Sequence, residues 1–400
     1  MYKVGGLFSG IGGIEFGFEL ANFKILWSNE NDPYCVRSFK HNYNHQLYSE
    51  DIRKINFKKL KPVDVLVGGF PCQAFSVAGY QKGFKDPRGN LFFEICRAIT
   101  ELPKMPKVIM LENVKNIRGH DGGKTAKVIT KSLRDLGYSV FWNVFNTSVH
   151  TDIPQNRERT FIIGFKDEAD WDFEPNKKTS SSIFNSYLPL TKSKTKKKFR
   201  DMLEVGEVDE RYYYKQNAYM YKDLKKAITS SNTAYQWRRV YVRENKSNEC
   251  PTLTANMGTG GHNVPLIKNG LGIRKLTPRE CLNFQGFPKS FKFPDDMPVS
   301  QRYKQAGNAV TVTLIKKIAD IDRDLIKLFK CKKVKWKKYR QFGIDLEGRN
   351  SNHWAVQRNA FINSPILNPI VNCQFINDQI DNISEIKTNI LETNSIQKGG

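Results

Sequence analysis

The chain's 400 residues, 39% of them hydrophobic, are too many for one hydrophobic core, since single cores rarely grow past roughly 300 residues. Its 64 lysines and arginines against 40 acidic residues give a formal charge of +24, which favours a polyanionic partner, nucleic acid first. Seven cysteines without a CxxC pair argue against a disulfide framework and a zinc knuckle, and no apolar run approaches the roughly 18 residues of a membrane span. We therefore expect a soluble intracellular protein with no metal and no membrane segment.

The first 165 residues alternate short apolar strands with helical stretches. LFFEICRAITEL, whose apolar residues recur at three- and four-residue intervals, is typical of a helix between strands. This alternation predicts an α/β fold with a Rossmann-like, doubly wound and mostly parallel sheet. The predicted strands are YKVGGLF, FKILWSNEN, VDVLVGGF, KVIMLEN, YSVFWNVFN and RTFIIGF.

The alternation stops after Gly164, and four further segments follow. Residues 166–200 are polar, serine-rich and basic, as expected of a linker, whereas residues 201–272 hold short β-branched and aromatic runs typical of a small β-rich module. Order returns in residues 273–329, where RKLTPRECLNFQGFP precedes a predicted glycine turn and an amphipathic helix in KQAGNAVTVTLIKKIADIDRDLIKLF. Residues 330–400 form a basic and then polar tail without usable periodicity.

Candidate catalytic side chains lie at the ends of three predicted strands. Cys72 follows VDVLVGGF in the loop GGFPCQAFS, Glu112 lies at the end of KVIMLEN, Arg157 precedes RTFIIGF, and Arg159 is the first residue of that predicted strand. Open α/β sheets bind ligands at the carboxyl edge, where a thiol, a carboxyl group and a guanidinium can grip and attack a planar heterocycle. Taken singly, each also fits a structural role: a buried thiol, a helix-capping carboxylate or solvated arginines.

A glycine loop, FSGIGGIEFGF, follows the first strand and opens a helix. Gly10, Gly12 and Gly13 would let a nucleotide-like ligand approach the backbone and the helix N-terminus. Glu30 ends the second strand at about the separation where an acidic residue binds ribose hydroxyls in dinucleotide folds. The loop lacks the full GxGxxG spacing, and it does not distinguish the nicotinamide cofactor of an oxidoreductase from S-adenosylmethionine.

Seven blocks occur in the order found in DNA (cytosine-5) methyltransferases: FSGIGG, NEN, GGFPCQAFS, ENV, QNRER, RKLTPREC and QAGNAV. The stretch AFSVAGYQKGFKDPRGNLFF is similar to the mobile catalytic loop of that family. The chain therefore resembles this family, in its bacterial restriction–modification form, over roughly residues 3–325. The resemblance implies an S-adenosylmethionine-dependent methyltransferase fold with a smaller β-rich target-recognition domain, taken as residues 201–272.

The resemblance also implies the chemistry. Cys72 would add to carbon 6 of a cytosine flipped out of double-stranded DNA, so that carbon 5 accepts the methyl group of S-adenosylmethionine. Glu112 matches the carboxyl group that contacts N3 and the exocyclic amine of the base, and Arg159 matches the group that holds O2. Arg157 would assist.

The same resemblance assigns a cofactor site, to which the glycines of the loop also belong. Phe8 would lie against the adenine or the sulfonium region, and Glu30 would bind the ribose hydroxyls. Asp51 would lie near the adenine amine and Leu91 beside that ring, while Asn308 in QAGNAV would close the pocket.

DNA contacts are expected from the catalytic loop and from the predicted recognition domain. Flipping a base leaves a gap in the stack that side chains must fill. The arginines of QWRRVYVR can reach guanine edges bidentately or bind phosphates, and the threonine–leucine pair of ECPTLTANMGTGG occurs in relatives in this region. The expected DNA-binding residues are Gln73, Ser76, Gln236, Arg238, Arg239, Arg243, Thr252 and Leu253.

Three alternatives stay open on sequence grounds: a transfer-RNA cytosine-5 methyltransferase of the same family, a catalytically silent DNA-binding protein, and an oxidoreductase. The insert of about 70 residues favours DNA, and its wording resembles that of enzymes that modify CCGG- or CCNGG-type sites. We expect a monomeric, cytoplasmic bacterial enzyme that protects host DNA from a cognate restriction endonuclease without forming a stable complex with it.

Overall fold

The computed structural model of the protein describes residues 1–71, 91–166, 190–218, 220–238, 241–259 and 263–331. Two compact units divide the chain, Met1–Arg323 and Asp324–Gly400. Of the second unit, only the backbone of residues 324–331 belongs to the described part. Residues 167–189 of the predicted linker and residues 332–400 of the predicted tail lie outside it.

A large sheet occupies the first half of the chain. Its strand order is β3-β2-β1-β4-β5-β7-β6, with parallel pairing from β3 to β5, and among the described strands β7 is the one that runs antiparallel to its neighbours. This confirms the predicted α/β class and all six predicted strands, while the short β3 was not predicted. The strands are β1 Lys3–Leu7, β2 Lys24–Asn29, β3 Gln46–Tyr48, β4 Val65–Gly69, β5 Val108–Val114, β6 Tyr138–Asn146 and β7 Glu158–Lys166.

Helices cover this sheet, and the local sequence explains where they begin. Asp32 caps the second helix by accepting from the backbone N–H groups of Tyr34 and Cys35, and Pro33 occupies its first turn. The helices are α1 Gly13–Leu20, α2 Pro33–Asn42, α3 Leu91–Glu101, α4 Lys124–Asp135 and α5 Thr147–His150, and the 3₁₀ turns are Ile52–Lys54, Phe57–Lys59, Lys115–Arg118 and His120–Gly123.

The main core lies between the central strands and these helices. Leu66 of β4 and Ile109 and Leu111 of β5 are fully buried, and they pack with Phe92 and Ile95 of α3. Continuous apolar runs such as VIML are expected where both faces of a parallel sheet are covered. The core therefore holds the strand ends that carry the candidate site in fixed positions.

A second, smaller sheet is antiparallel and has the order β11-β10-β8-β9. Tyr235, Trp237 and Leu266 of this sheet pack on Met220 and Leu224 in a core of their own. This confirms the predicted small β-rich part, while the boundaries 201 and 272 stay predictions. Its elements are α6 Tyr221–Ala227, β8 Tyr235–Trp237, β9 Val242–Glu244, β10 Leu266–Asn269 and β11 Gly272–Lys275, with 3₁₀ turns at Phe199–Met202, Glu210–Tyr212 and Ala255–Thr259.

Three helices complete the described chain: α7 Pro278–Phe284, α8 Val299–Asn308 and α9 Val312–Cys331. The amphipathic helix predicted in this region is α9. The predicted glycine turn was wrong, because Gly307 lies inside α8. A Cβ atom at this position would lie 2.1 Å from the carbonyl oxygen of Thr254, so the glycine permits close packing rather than a turn. Among the described helices, none is both long enough and apolar enough to cross a membrane.

Candidate functional site

The register of three neighbouring strands gathers the candidate catalytic groups at one edge of the large sheet. Gly69, the last residue of β4, pairs with Glu112 of β5, and Val114 of β5 pairs with Arg159 of β7. A Cβ atom on Gly69 would lie 3.5 Å from Oε2 of Glu112. Glu112 therefore lies beside the strand end that leads, three residues later, to Cys72.

Four of the predicted site residues cannot be placed against this geometry. They lie outside the described part of the chain: Cys72, Gln73, Ser76 and Arg239. Their assignments remain predictions from the sequence.

Glu112 and Arg159 form an ion pair, with 3.1 Å between Oε1 and Nε. Their side chains are only 12% and 15% exposed, respectively. Burial raises the pKa of the Glu112 carboxyl, although the charges of Arg159 and Arg157 oppose the rise. Burial likewise lowers the pKa of Arg159, opposed by Glu112. The pair is thus a largely desolvated acid and a cation next to each other, which suits the binding of a polar, uncharged ring.

Asn113 is a site residue that the sequence analysis missed. Its buried Nδ2 donates to the carbonyl oxygen of Phe70 at 2.8 Å, two residues before Cys72. This bond ties the backbone that leaves β4 to the end of β5. The ENV block already contained the signal, because its asparagine directly follows Glu112, the candidate catalytic carboxylate, in the sequence.

Arg157 is buried, with 1% exposure, and binds backbone carbonyl groups rather than a carboxylate. Its guanidinium donates to the carbonyl oxygen of Leu253 at 2.6 Å, to that of Ala309 at 2.7 Å and to that of Gly307 at 3.3 Å. Two distant segments, one at Leu253 and one at Gly307 and Ala309, therefore meet on this one side chain. In this structure its contacts are those of a residue that joins segments, and its predicted assistance to catalysis stays a prediction.

The glycine loop follows β1 in an unusual conformation. Phe8, Gly10 and Gly12 all have positive φ angles, of 53°, 56° and 81°. A Cβ atom at Gly12 would lie 2.4 Å from the Tyr43 ring, and one at Gly13 would lie 3.0 Å from Val310. At Gly10, by contrast, an added Cβ would meet no atom within 4 Å. Gly12 and Gly13 thus permit close packing, whereas Gly10 borders open space above the loop.

Glu30 secures this loop from the end of β2. Its carboxylate accepts from the backbone N–H groups of Gly10 at 2.7 Å, Asp32 at 2.8 Å and Asn31 at 2.9 Å. Burial raises the pKa of Glu30, and these three hydrogen bonds oppose the rise. Glu30, the residue predicted to bind the ribose, therefore lies directly beside the open space at Gly10. A nucleoside with free hydroxyl groups fits the carboxylate and backbone N–H groups found there.

The remaining predicted cofactor residues differ in their surroundings. Phe8 and Leu91 are half-buried and pack against the main core. Asp51 caps a 3₁₀ turn and forms an ion pair with Arg53, whose hydrogen bond lowers the pKa of Asp51 to about 2. Asn308 is the exposed last residue of α8. The cofactor assignments of these residues stay predictions.

The predicted DNA-binding residues fall into two groups. Gln236 of β8 and Arg243 of β9 are paired across the two strands, and Nη2 of Arg238 donates to Oε1 of Gln236 at 3.0 Å. Both arginines are exposed. Thr252 donates through its hydroxyl to the carbonyl oxygen of Asn156 at 2.6 Å. Leu253 is only 1% exposed and packs in the core.

Comparison with known proteins shows the family to which the chain belongs. The family model described as C-5 cytosine-specific DNA methylase matches residues 2–321. Type II methyltransferase M.Bsp6I of Bacillus sp. (strain RFL6) is 48% identical over 324 residues, which cover 80% of this chain and 98% of the relative. Type II methyltransferase M.HhaI of Haemophilus parahaemolyticus is 35% identical over 321 residues, with coverages of 78% and 91%.

Solved structures support the fold. The crystal structure of S. pombe Dnmt2 methyltransferase matches with a TM-score of 0.61 and 20% identity, covering 81% of this chain and 99% of that one. At that identity the match speaks for the architecture alone. The family match and the similarity to the type II methyltransferases show that the chain belongs to the C-5 cytosine-specific DNA methylase family and is a DNA (cytosine-5) methyltransferase.

Proposed function

We propose that this enzyme is the modification methyltransferase of a type II restriction system. It would methylate carbon 5 of one cytosine within a short sequence of double-stranded DNA and so protect host DNA from a cognate endonuclease. The observation that carries the proposal is the buried Glu112–Arg159 pair beside the strand end that leads to Cys72. The two relatives described above carry type II methyltransferase names, and the match to a DNA methylase family favours this assignment over the transfer-RNA alternative.

In the proposed reaction, Cys72 provides the nucleophile. Its thiolate forms a bond to carbon 6 of the flipped cytosine, and the electron pair of the 5,6 double bond becomes available at carbon 5. A free thiol has a pKa near 8.5, so the neighbouring positive charge of Arg159 and Arg157 would favour the thiolate. After methyl transfer, loss of the carbon-5 proton re-forms the double bond and expels the thiolate.

Glu112 and Arg159 would hold the base during the attack. Burial raises the pKa of Glu112 and so favours its protonated form, which would donate to cytosine N3 as negative charge develops on the ring. Arg159 has five N–H donors, and its described bonds to Glu112 and to the carbonyl oxygen of Glu158 engage two of them. The others can reach O2 of the base.

S-adenosylmethionine, when bound, supplies an electrophilic methyl group. Glu30 would hold its ribose hydroxyls beside the open space at Gly10, Phe8 and Leu91 would flank the adenine, and Asp51 would lie near the adenine amine. Asn308 would close the pocket from α8. The support for this arrangement is the cradle at Gly10, which the Glu30 carboxylate borders.

Sequence recognition would belong to the small antiparallel sheet and to the segment between β9 and β10. Gln236, Arg238 and Arg243 form one exposed cluster there, which supports a role at base edges or phosphates. Gln73, Ser76 and Thr252 would also contact DNA, while the buried Leu253 would support that surface from within. We further propose that the enzyme acts as a cytoplasmic monomer and pairs with its endonuclease only through their shared target.

Trapping of the covalent intermediate tests the mechanism. Duplex DNA that carries 5-fluorocytosine should hold the wild-type enzyme covalently in the presence of S-adenosylmethionine, because fluorine cannot leave as the proton does. Cys72→Ser should form no adduct, yet it should still bind DNA, since the hydroxyl fills the same space but is a much weaker nucleophile. Bisulfite sequencing of DNA from cells that express the wild-type protein would identify the methylated cytosine. Substantial methylation by Cys72→Ser would overturn the assignment of the nucleophile.

A further inference from the structure

Helix α8 connects the cofactor side of the enzyme with the recognition side. On the cofactor side, Nζ of Lys304 donates to Oδ2 of Asp32 at 2.9 Å. One residue further on, Oε1 of Gln305 accepts from the hydroxyl of Ser38 at 2.6 Å in a buried hydrogen bond. Both partners belong to helix α2 or its cap, although more than 260 residues separate them from α8 in the sequence.

The other side of Lys304 faces the 3₁₀ turn Ala255–Thr259. A Cβ atom at Gly258 would lie 2.8 Å from Cβ of Lys304 and 2.7 Å from the carbonyl oxygen of Ser300. Only a glycine therefore allows this turn to approach α8 so closely. The turn begins two residues after Leu253, in the segment that also receives the hydrogen bond of Arg157. Lys304 thus packs between this segment and Asp32.

Asp32 is also hydrogen-bonded to Glu30. Its backbone N–H donates to Oε1 of Glu30 at 2.8 Å, while its Oδ1 accepts from the N–H groups at the start of α2. The hydrogen bond to Asp32 raises the pKa of Lys304, and the charge of Glu30 adds to this rise. Partial burial raises the pKa of Asp32, yet its hydrogen bond to Lys304 and the capping bonds leave that pKa lowered. The lysine is therefore a cation held close to two carboxylates.

We propose that Lys304 is a positioning residue for S-adenosylmethionine. By holding Asp32 it fixes the turn that presents Glu30, and by packing on Gly258 it ties that turn to the segment beside the recognition sheet. The inference rests on the proposed role of Glu30 as the ribose ligand. Because the Lys304–Asp32 pair is partly exposed, it contributes little to global stability, and its effect should be found in cofactor affinity instead.

The test compares three variants of the full-length protein with the wild type: Lys304→Met, Lys304→Arg and the control Lys316→Met. Lys316 has the same 42% side-chain exposure as Lys304 and also pairs with an aspartate, Asp320, on α9. Titration calorimetry would give the Kd for S-adenosylmethionine, and steady-state methylation of duplex DNA would give KM and kcat. Thermal melting would show that each variant folds.

Lys304→Met should raise both Kd and KM for S-adenosylmethionine about tenfold, the loss expected of one charge-assisted hydrogen bond, with kcat at saturating cofactor nearly retained. Lys304→Arg should restore most of the affinity, and Lys316→Met should behave as wild type. Gly258→Ala should weaken cofactor binding in the same way, because the added methyl group displaces α8 or the Lys304 stem. This result would support the second half of the proposal independently of the charge.

Glu30→Ala separates the failure of this inference from that of the proposed cofactor site. If Glu30→Ala weakens cofactor binding but Lys304→Met does not, the positioning role is refuted and the site stands. If Glu30→Ala leaves the Kd unchanged, both the site and the inference drawn from it are refuted. A fall in kcat with an unchanged KM in Lys304→Met would also overturn the proposal, since it would place the lysine in a different step.

Discussion

At the scale of single residues, Glu15 is a buried carboxyl group directly beneath the glycine loop. It lies in the first turn of α1 with 1% exposure, and its Oε1 accepts from the hydroxyl of Ser28 at 3.3 Å. A Cβ atom on Gly6 would lie 2.0 Å from the same oxygen, which explains the glycine in β1. Burial raises the pKa of Glu15 to about 7, against the hydrogen bond from Ser28, which lowers it. The folded protein therefore binds this proton more tightly than the unfolded chain does.

Glu15→Gln should change how stability depends on pH. The contribution of the Glu15 proton is fully present below the unfolded pKa of 4.5 and is lost as pH rises through the folded pKa of about 7. At pH 8 the glutamine variant should therefore be more stable than the wild type by up to about 3 kcal/mol, at 1.36 kcal/mol per pKa unit. Near pH 5 the two proteins should be similar. Urea unfolding followed by tryptophan fluorescence from pH 5 to pH 8 measures the difference.

Glu19→Gln is the matched control for this experiment, because Glu19 lies on the same helix but is exposed. It should show no such pH dependence. A stability difference between Glu15→Gln and the wild type that stays constant across the pH range would mean that Glu15 does not hold the proton.

The candidate site shows which residues a sequence can and cannot place. Glu112 was predictable because the carboxyl end of an apolar strand defines its position at the sheet edge. The arginines of QNRER lie at the beginning of their strand, Arg157 just before β7 and Arg159 within it, and they reach that edge because β7 runs antiparallel, which no local pattern predicted. The contacts of Arg157 with Leu253, Gly307 and Ala309 lay further beyond prediction, since these partners are about 100 to 150 residues away in the sequence.

At the scale of elements, an enclosed ion pair joins the small sheet to helix α7. Arg274 of β11 donates to both carboxylate oxygens of Glu280, at 2.6 and 2.8 Å, and the two side chains are 2% and 0% exposed. Glu280 also accepts from the backbone N–H groups of Thr277 and Glu204. The Thr277 side chain in turn accepts from the backbone N–H of Glu280 and caps α7. The Glu280 carboxylate thus accepts hydrogen bonds from a strand, a helix start and a loop.

Glu280→Gln should destabilise the protein by about 3–5 kcal/mol, because Arg274 would keep a buried charge without its counterion. Replacing both residues, as Arg274→Met with Glu280→Leu, should cost less than the sum of the single changes, since no unpaired charge remains. Chemical denaturation measures each free energy of unfolding. Asp135→Asn, which breaks an exposed pair with Lys131, serves as the control and should change stability by less than about 1 kcal/mol. Equal effects of Glu280→Gln and the control would show that the enclosed pair is unimportant.

Element prediction succeeded where a pattern was long and failed where packing decided. The six predicted strands each carry an apolar run that stands out from its surroundings, whereas β3 has only three residues, none of them buried. The motif QAGNAV was predicted to form a turn because a glycine ordinarily interrupts a helix, but its first four residues form the end of α8. The glycine is needed at position 307 because Thr254 approaches it closely, and this contact joins residues more than 50 positions apart in the sequence.

At the scale of the whole molecule, a formal charge of +24 provides affinity for DNA without selecting a sequence. We expect chemistry and selection to be carried by different parts, because the large sheet holds Glu112 and Arg159, whereas Gln236, Arg238 and Arg243 lie in or beside the small sheet. Loops and small modules on a rigid scaffold can vary without disturbing the catalytic groups. This division predicts that changes in the small sheet alter the choice of target and leave the chemical step intact.

Three arginines predicted to contact DNA test that division. Arg238→Ala, Arg239→Ala and Arg243→Ala should each relax discrimination at one base pair by about 1–3 kcal/mol if the side chain reads a guanine edge. Lys246→Ala is the comparison, since this exposed lysine follows β9 and would bind phosphate. It should weaken methylation of all sequences alike and flatten the salt dependence. Methylation rates on a panel of single-base variants of the target, at several salt concentrations, distinguish the two behaviours.

Arg238 provides the sharpest case in this series, because its guanidinium is already bonded to Gln236, which is paired with Arg243 across the strands. Removing the Gln236 side chain should therefore impair discrimination at the base pair that Arg238 reads, although Gln236 itself carries no charge. Gln236→Ala and Arg238→Ala should then relax the same position of the target, and the double variant should add little to either. If all the arginine variants instead lose activity uniformly across the panel, they contact phosphates, and base reading must lie elsewhere in the recognition region.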